Sequence, residues 1–225
     1  MTSSALAAAA AERAQHIRQR ADRPSQRRCA EQTSARATVR AALSGVQVRA
    51  TDDSTGTLEF TGHASVYEQG YEMWDAFGPY TEVVTKGAGA DSLLRSDLDV
   101  PLVLGHDQLR RLARTSTGTL FLTEDANGLR VHAPALDPND HDVAYIAPKL
   151  KSGLIDEMSF AFRIESGQWS PDYTEYRITR YDIHRGDVAI VGYGANPYTG
   201  ASLRQPTAAP TSRARALLEL GIARA

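Results

Sequence analysis

A single hydroxyl interrupts an apolar run in GLIDEMSFAF, residues 153–162, where Ser159 stands between Met158 and Phe160. Serine-based hydrolysis requires such a hydroxyl, an imidazole within hydrogen-bond reach and a third group that orients the ring, in any order along the chain. Six histidines are available as bases. His16 falls in an Ala- and Arg-rich N-terminal stretch. His63, in FTGHASVY, reads as an ordinary strand residue, and His132 as an exposed residue after the GLRV strand. His141 lies at a helix start in DPNDHDVA, and His184 in a polar strand facing solvent. His106 differs, because it closes the apolar strand VPLVLGHD directly after a glycine. A rigid strand end is a good mount for a base, and Asp107 beside it is placed to tune its charge. The plainer reading of the same residue is a histidine capping a turn.

Side chains alternate between the faces of a strand. Phe160 and Phe162 therefore belong on the core face, and Ser159 and Ala161 on the open one. DPNDHDVA crowds Asp137, Asn139, Asp140, His141 and Asp142 together. It lacks the Gly and Glu positions of a twelve-residue calcium loop, so it reads as a solvated loop with an N-cap carboxylate. LRRLAR sets Arg110, Arg111 and Arg114 just after His106, either to steer an acidic substrate segment or as a solvated edge. No Gly-x-Ser-x-Gly elbow is present, which argues against an esterase of that type.

The elements that must hold these groups are mostly strands. VQVRAT, GTLEFTGHASVY and TEVVTKGA alternate apolar with polar residues, and DVPLVLGHD is a shorter, more apolar strand. ARTSTGTLFLTEDANGLRVHAPAL reads as two strands joined at an Asn-Gly turn. HDVAYIAPKLKSGLI places Val143, Ile146 and Leu150 at helical spacing before Gly153. EMSFAFRIESGQW, EYRITRYDIHRG and DVAIVGYG are three further strands. The expected class is α+β and β-dominated, a small antiparallel barrel of about seven strands with flanking helices.

Residues 1–45 read as a basic, partly helical, mobile arm, 46–204 as the β-domain, and 205–225 as a linker with a short C-terminal helix. Residues 1–50 carry nine Arg against three acids, whereas 51–205 carry 13 basic against 23 acidic residues. A basic arm on an acidic body suits tethering or interaction and leaves nucleic-acid contact open. The single cysteine, Cys29, excludes internal disulfides and thiolate metal clusters. No apolar run approaches the length of a membrane span. The Ala run precedes its basic residues, the reverse of a secretory signal, so a cytoplasmic setting is the default.

LVLGHD, then a strand pair and a helix, then GLIDEMSFAF, then GDVAIVGYGANPYTGA resembles one family over roughly residues 55–203. That family is the prohead serine proteases of tailed phages, which share a fold with the herpesvirus assemblins. The resemblance implies His106 as general base and Ser159 as nucleophile. Asp187 takes the orienting position, with Asp107 and His184 as alternatives. Members more often show Glu-Val-Ser where this chain has Asp187-Val188-Ala189. It also implies oxyanion donors from Gly194, Ala195 and Asn196, although the herpesvirus members use Arg there. The implied function is a serine endopeptidase that needs no cofactor and trims capsid or scaffold protein, and in the family's habit itself. It would act in the host cytoplasm inside the assembling procapsid. A homodimer stays open. The alternative from another class is a catalytically inactive β-domain serving as capsid scaffold or binding module, which requires Ser159 and His106 to lie out of hydrogen-bond reach.

Overall fold

The computed structural model describes residues 3–24, 37–42, 47–50 and 56–192. Along the chain run α1 (Ser3–His16), β1 (Ala37–Ala42), β2 (Gln47–Ala50), β3 (Leu58–Val66), β4 (Tyr71–Trp74), β5 (Pro79–Val84) and α2 (Ala90–Leu93). There follow β6 (Pro101–Leu104), β7 (Asp107–Arg114), β8 (Phe121–Glu124), β9 (Gly128–Leu136), α3 (His141–Lys151), β10 (Glu157–Trp169) and β11 (Glu175–Val191). The larger sheet follows the order β1-β10-β11-β5-β4, with β6 also paired to β11 and carrying β7; the smaller is β2-β3-β9-β8. Both contribute to one apolar core. Phe60, Leu129 and Val131 come from the smaller sheet, and Phe160, Phe162, Val188 and Leu102 from the larger.

The β-dominated α+β class agrees with the sequence reading, but the barrel does not. Neither sheet closes on itself among the described residues. The reason lies in β11, which was expected as two strands and is one bent strand of 17 residues. Its first part runs parallel to β5, with Glu175–Ile178 facing Thr81–Val84. Its last part runs parallel to β6, with Val188–Ile190 facing Leu102–Leu104. Between them the register with β10 jumps from Asp182 opposite Arg163 to Asp187 opposite Ala161. Residues 183–186 bulge out, and such a bulge bends a strand and re-aims its side chains. Ser92 of α2 anchors the bulge by donating to Asp182 Oδ1 at 2.8 Å and accepting from the Ile183 N–H at 2.9 Å. The edge that would close a barrel is thus divided between two short parallel neighbours.

Phe160 and Phe162 stack at 4.2 Å and both meet Tyr181, so the aromatic face of β10 does point into the core. Asp140 caps α3 through the N–H groups of Asp142 and Val143. Val143, Ile146 and Leu150 of that helix are buried. Residues 3–24 lie against the body. Ala9 and Ala10 are buried, and Arg13, fully buried, forms a fork on Asp75 at 2.7 and 3.0 Å. Gly78 lets α1 approach closely, since a Cβ there would sit 2.9 Å from that of Ala9. Among the described residues no helix is long and apolar enough to cross a membrane. The expected C-terminal helix lies outside the described residues.

Candidate active site

β6 and β7 form a hairpin whose two-residue loop is Gly105-His106, closed by Leu104 opposite Asp107. Both loop residues have positive φ, +61° and +63°, the conformation that tight hairpins with right-handed twist require. Glycine adopts it without strain and histidine does not. A strained residue held this firmly is a recurrent mark of functional sites. The turn is tied to the sheet by the Gly105 N–H, which donates to Ile190 O at 2.9 Å.

The other two groups follow from register. Ser159 pairs with Ala189, and Ala161 with Asp187. Ser159 and Asp187 therefore sit diagonally on one face of the sheet, a separation that one imidazole can bridge. His106 does so. Its Nε2 lies 2.8 Å from Ser159 Oγ and its Nδ1 lies 2.7 Å from Asp187 Oδ1. A carboxylate only accepts, so Nδ1–H donates to Asp187, and Nε2 of the neutral ring accepts from the Ser159 hydroxyl. Gln108, on β7, donates from Nε2 to the second oxygen of Asp187 at 2.6 Å and fixes the carboxylate's rotation. On the same face Val103, Ala189 and Val191 form a separate buried cluster. Ala189, cross-strand from Ser159, is small enough to leave room for the ring.

Ser159 was expected on an open face, but it is fully buried. A groove of about 420 Å³ opens beside its partner His106, lined by Leu104, Ile146, Ile155, Ile190 and Val191 together with Arg110 and Tyr145. The alternative orienting groups are elsewhere. Asp107 accepts from the Leu109 N–H, and His184 Nδ1 from the Asp99 N–H. The ring of His184 is only 12% exposed, against the solvent-facing position expected. His63 pairs with Asp125 at 2.6 Å, and His132, only partly exposed, pairs with Glu59 at 2.9 Å. His141 is exposed at the start of α3. Of the Arg run, Arg110 pairs with Asp142 and Arg114 with Asp99, both at 2.5 Å. Gly194, Ala195 and Asn196 lie outside the described residues. Gln108 was missed, because a polar residue in an edge strand gives no sequence signal until its carboxylate partner is located.

A hydroxyl, an imidazole and a buried carboxylate in sequential hydrogen-bond contact, beside a groove, define the arrangement of a serine hydrolase. The model of the caudovirus prohead serine protease family matches residues 44–213. The chain belongs to that family, and with it to the serine peptidases of phage capsid maturation. No curated protein and no solved structure matches the chain.

Proposed function

We propose that the protein is an endopeptidase that cleaves capsid or scaffold protein in the assembling prohead, with Ser159 as nucleophile, His106 as general base and Asp187 as orienting group. The observation that carries this reading is the unbroken contact from Ser159 Oγ through His106 to Asp187. His106 Nε2 takes the hydroxyl proton as Ser159 Oγ bonds to the scissile carbonyl carbon, then returns that proton to the leaving amine. Water repeats the sequence to release the acyl group. Asp187 keeps the proton of the neutral ring on Nδ1 and stabilises the imidazolium. The aliphatic walls of the groove suit an extended peptide with an apolar side chain near the scissile bond. Gly192 lines the same groove, and the residues that follow, Gly194, Ala195 and Asn196, are the proposed oxyanion donors. Self-cleavage and kinship with the herpesvirus assemblins belong to this same proposal.

The inactive-module alternative needs Ser159 and His106 out of reach, and they are 2.8 Å apart. The deciding experiment is co-expression of wild type or Ser159→Ala with the cognate capsid protein, read by intact mass. Trimming by wild type alone is expected. Trimming that persists in Ser159→Ala, or shells that form with no trimming in either, would defeat the proposal.

A further inference from the structure

Beyond Gln108 lies a second cavity, of about 290 Å³, lined by Asp99, Gln108, Arg111, Arg114, Arg185 and Gly186. Its charges are not balanced. Arg114 forks onto Asp99 at 2.6 and 2.5 Å, which neutralises both. The Nε of Arg111 donates only to a backbone carbonyl, that of Gln108, at 2.7 Å. The Arg185 side chain has no hydrogen bond or ion pair among the described residues. Two guanidinium groups, those of Arg111 and Arg185, thus face this cavity with no carboxylate paired to them among the described residues, on a body whose residues 51–205 carry 23 acids against 13 bases.

The backbone holds Arg185 there against its preference. Its φ is +57°, in the left-handed region. Its N–H donates to Asp99 O at 2.9 Å. The next residue, Gly186, packs so closely that a Cβ would sit 1.8 Å from Ala161 O. A strained cation at the apex of a well-anchored bulge, with no partner among the described residues, is placed for a partner from outside.

We propose that this cavity binds a carboxylate of the polypeptide substrate, an acidic side chain at a position away from the scissile bond. The inference rests on the peptidase reading and adds the substrate's chemical class to it. Guanidinium forks match carboxylate geometry, and two of them on one acid give both charge and orientation. One pair of guanidinium groups in a small cavity matches a single carboxylate, whereas nucleic acid, with its repeating phosphates, calls for a basic stripe.

The test measures binding on full-length Ser159→Ala, so that no catalysis is needed. The probe is fluorescein-labelled hexaglutamate at low salt, with hexaglutamine as the uncharged control and a DNA hexamer as the charged one. Hexaglutamate binds, and Arg111→Gln with Arg185→Gln weakens it about tenfold, while hexaglutamine does not bind. Arg111→Gln alone, in a hairpin strand, weakens binding about threefold and covers the case in which the Arg185 variant fails to fold. Equal binding of the two peptides, or an affinity untouched by Arg111→Gln, would overturn the proposal. Tighter binding of the DNA hexamer would overturn it too. Capsid cleavage by wild type is scored in parallel: charge-selective binding without cleavage removes the peptidase reading alone, and cleavage without charge-selective binding removes this one alone.

Discussion

Arg13 offers the sharpest test of how the N-terminal helix is held. Its guanidinium is fully buried and forks onto Asp75, whose side chain is 1% exposed. It also donates to the carbonyls of Gly78 and Pro79 at 2.7 Å and of Tyr173 at 3.3 Å. The rings of Tyr80 and Trp169 flank it at 5.2 Å each. Arg13→Met keeps the stem's volume and removes every one of these donors. Deleting one member of a buried pair costs about 3–5 kcal/mol when the other stays buried. Asp75 has an escape, however. It retains the N–H groups of Phe77 and Gly78, and if α1 lifts away, water reaches it. The cost to global stability is therefore capped at the docking free energy of α1. That helix buries only Ala9, Ala10 and Arg13 and is marginal alone. We expect Arg13→Met to lower global stability by about 1–3 kcal/mol in urea. Amide protection of residues 5–16 should collapse toward that of a free peptide while β10 and β11 keep theirs. Unchanged protection of α1 together with an unchanged urea midpoint would refute the reasoning, because a buried carboxylate cannot lose its paired cation without consequence.

Gly186→Ala drives a Cβ into the carbonyl of Ala161 within the sheet; a loss of about 3 kcal/mol or more is expected, read as a fall in Tm of several degrees. Gln108→Ala removes the donor to Asp187 Oδ2. It should lower kcat/KM about tenfold at an unchanged Tm, with Gln108→Glu no better, since a second carboxylate would repel the first. Arg114 and Ser116 hold the Asp99 carboxyl down to about 2. A depressed folded-state value means that the stabilisation is present above the unfolded pKa near 4 and is lost as pH falls toward 2. Arg114→Met should return the Asp99 carboxyl resonance to a midpoint near 4 and cost about 1 kcal/mol at neutral pH, with little further loss on acidification.

What could be read in advance was local. The strand end in VPLVLGHD, the aromatic alternation of SFAF and the helical spacing of Val143, Ile146 and Leu150 each depend on neighbours a few residues away. What escaped was non-local. LRRLAR has too few alternating apolar residues to read as a strand, yet β7 exists because the Gly105-His106 turn folds it back onto β6. β4 is only four residues long and is defined by pairing with β5. RITRYDIHRGDVAIV reads as two strands parting at its glycine, but bridging contacts from Ser92 keep it one strand with a bulge. The barrel failed for the same reason, since closure depends on which distant edges β11 accepts. The contact among His106, Ser159 and Asp187 is equally non-local, and only the family resemblance pointed to those three residues together; Gln108, Arg111 and Arg185 acquire meaning only once Asp187 and its bulge are in place.

The parallel pairings of β11 are the long-range contacts on which the candidate site depends. They join segments roughly ninety residues apart in sequence, the kind of contact that forms slowly and late. His106 can sit on its hairpin early and Ser159 can follow, but neither is aligned until β11 threads between β10 and β6. A chain still emerging from the ribosome, or one stalled before Asp187, carries a hydroxyl and an imidazole without their shared frame. The hydroxyl, the imidazole and the carboxylate thus share one frame only when this last strand has taken its place between β10 and β6.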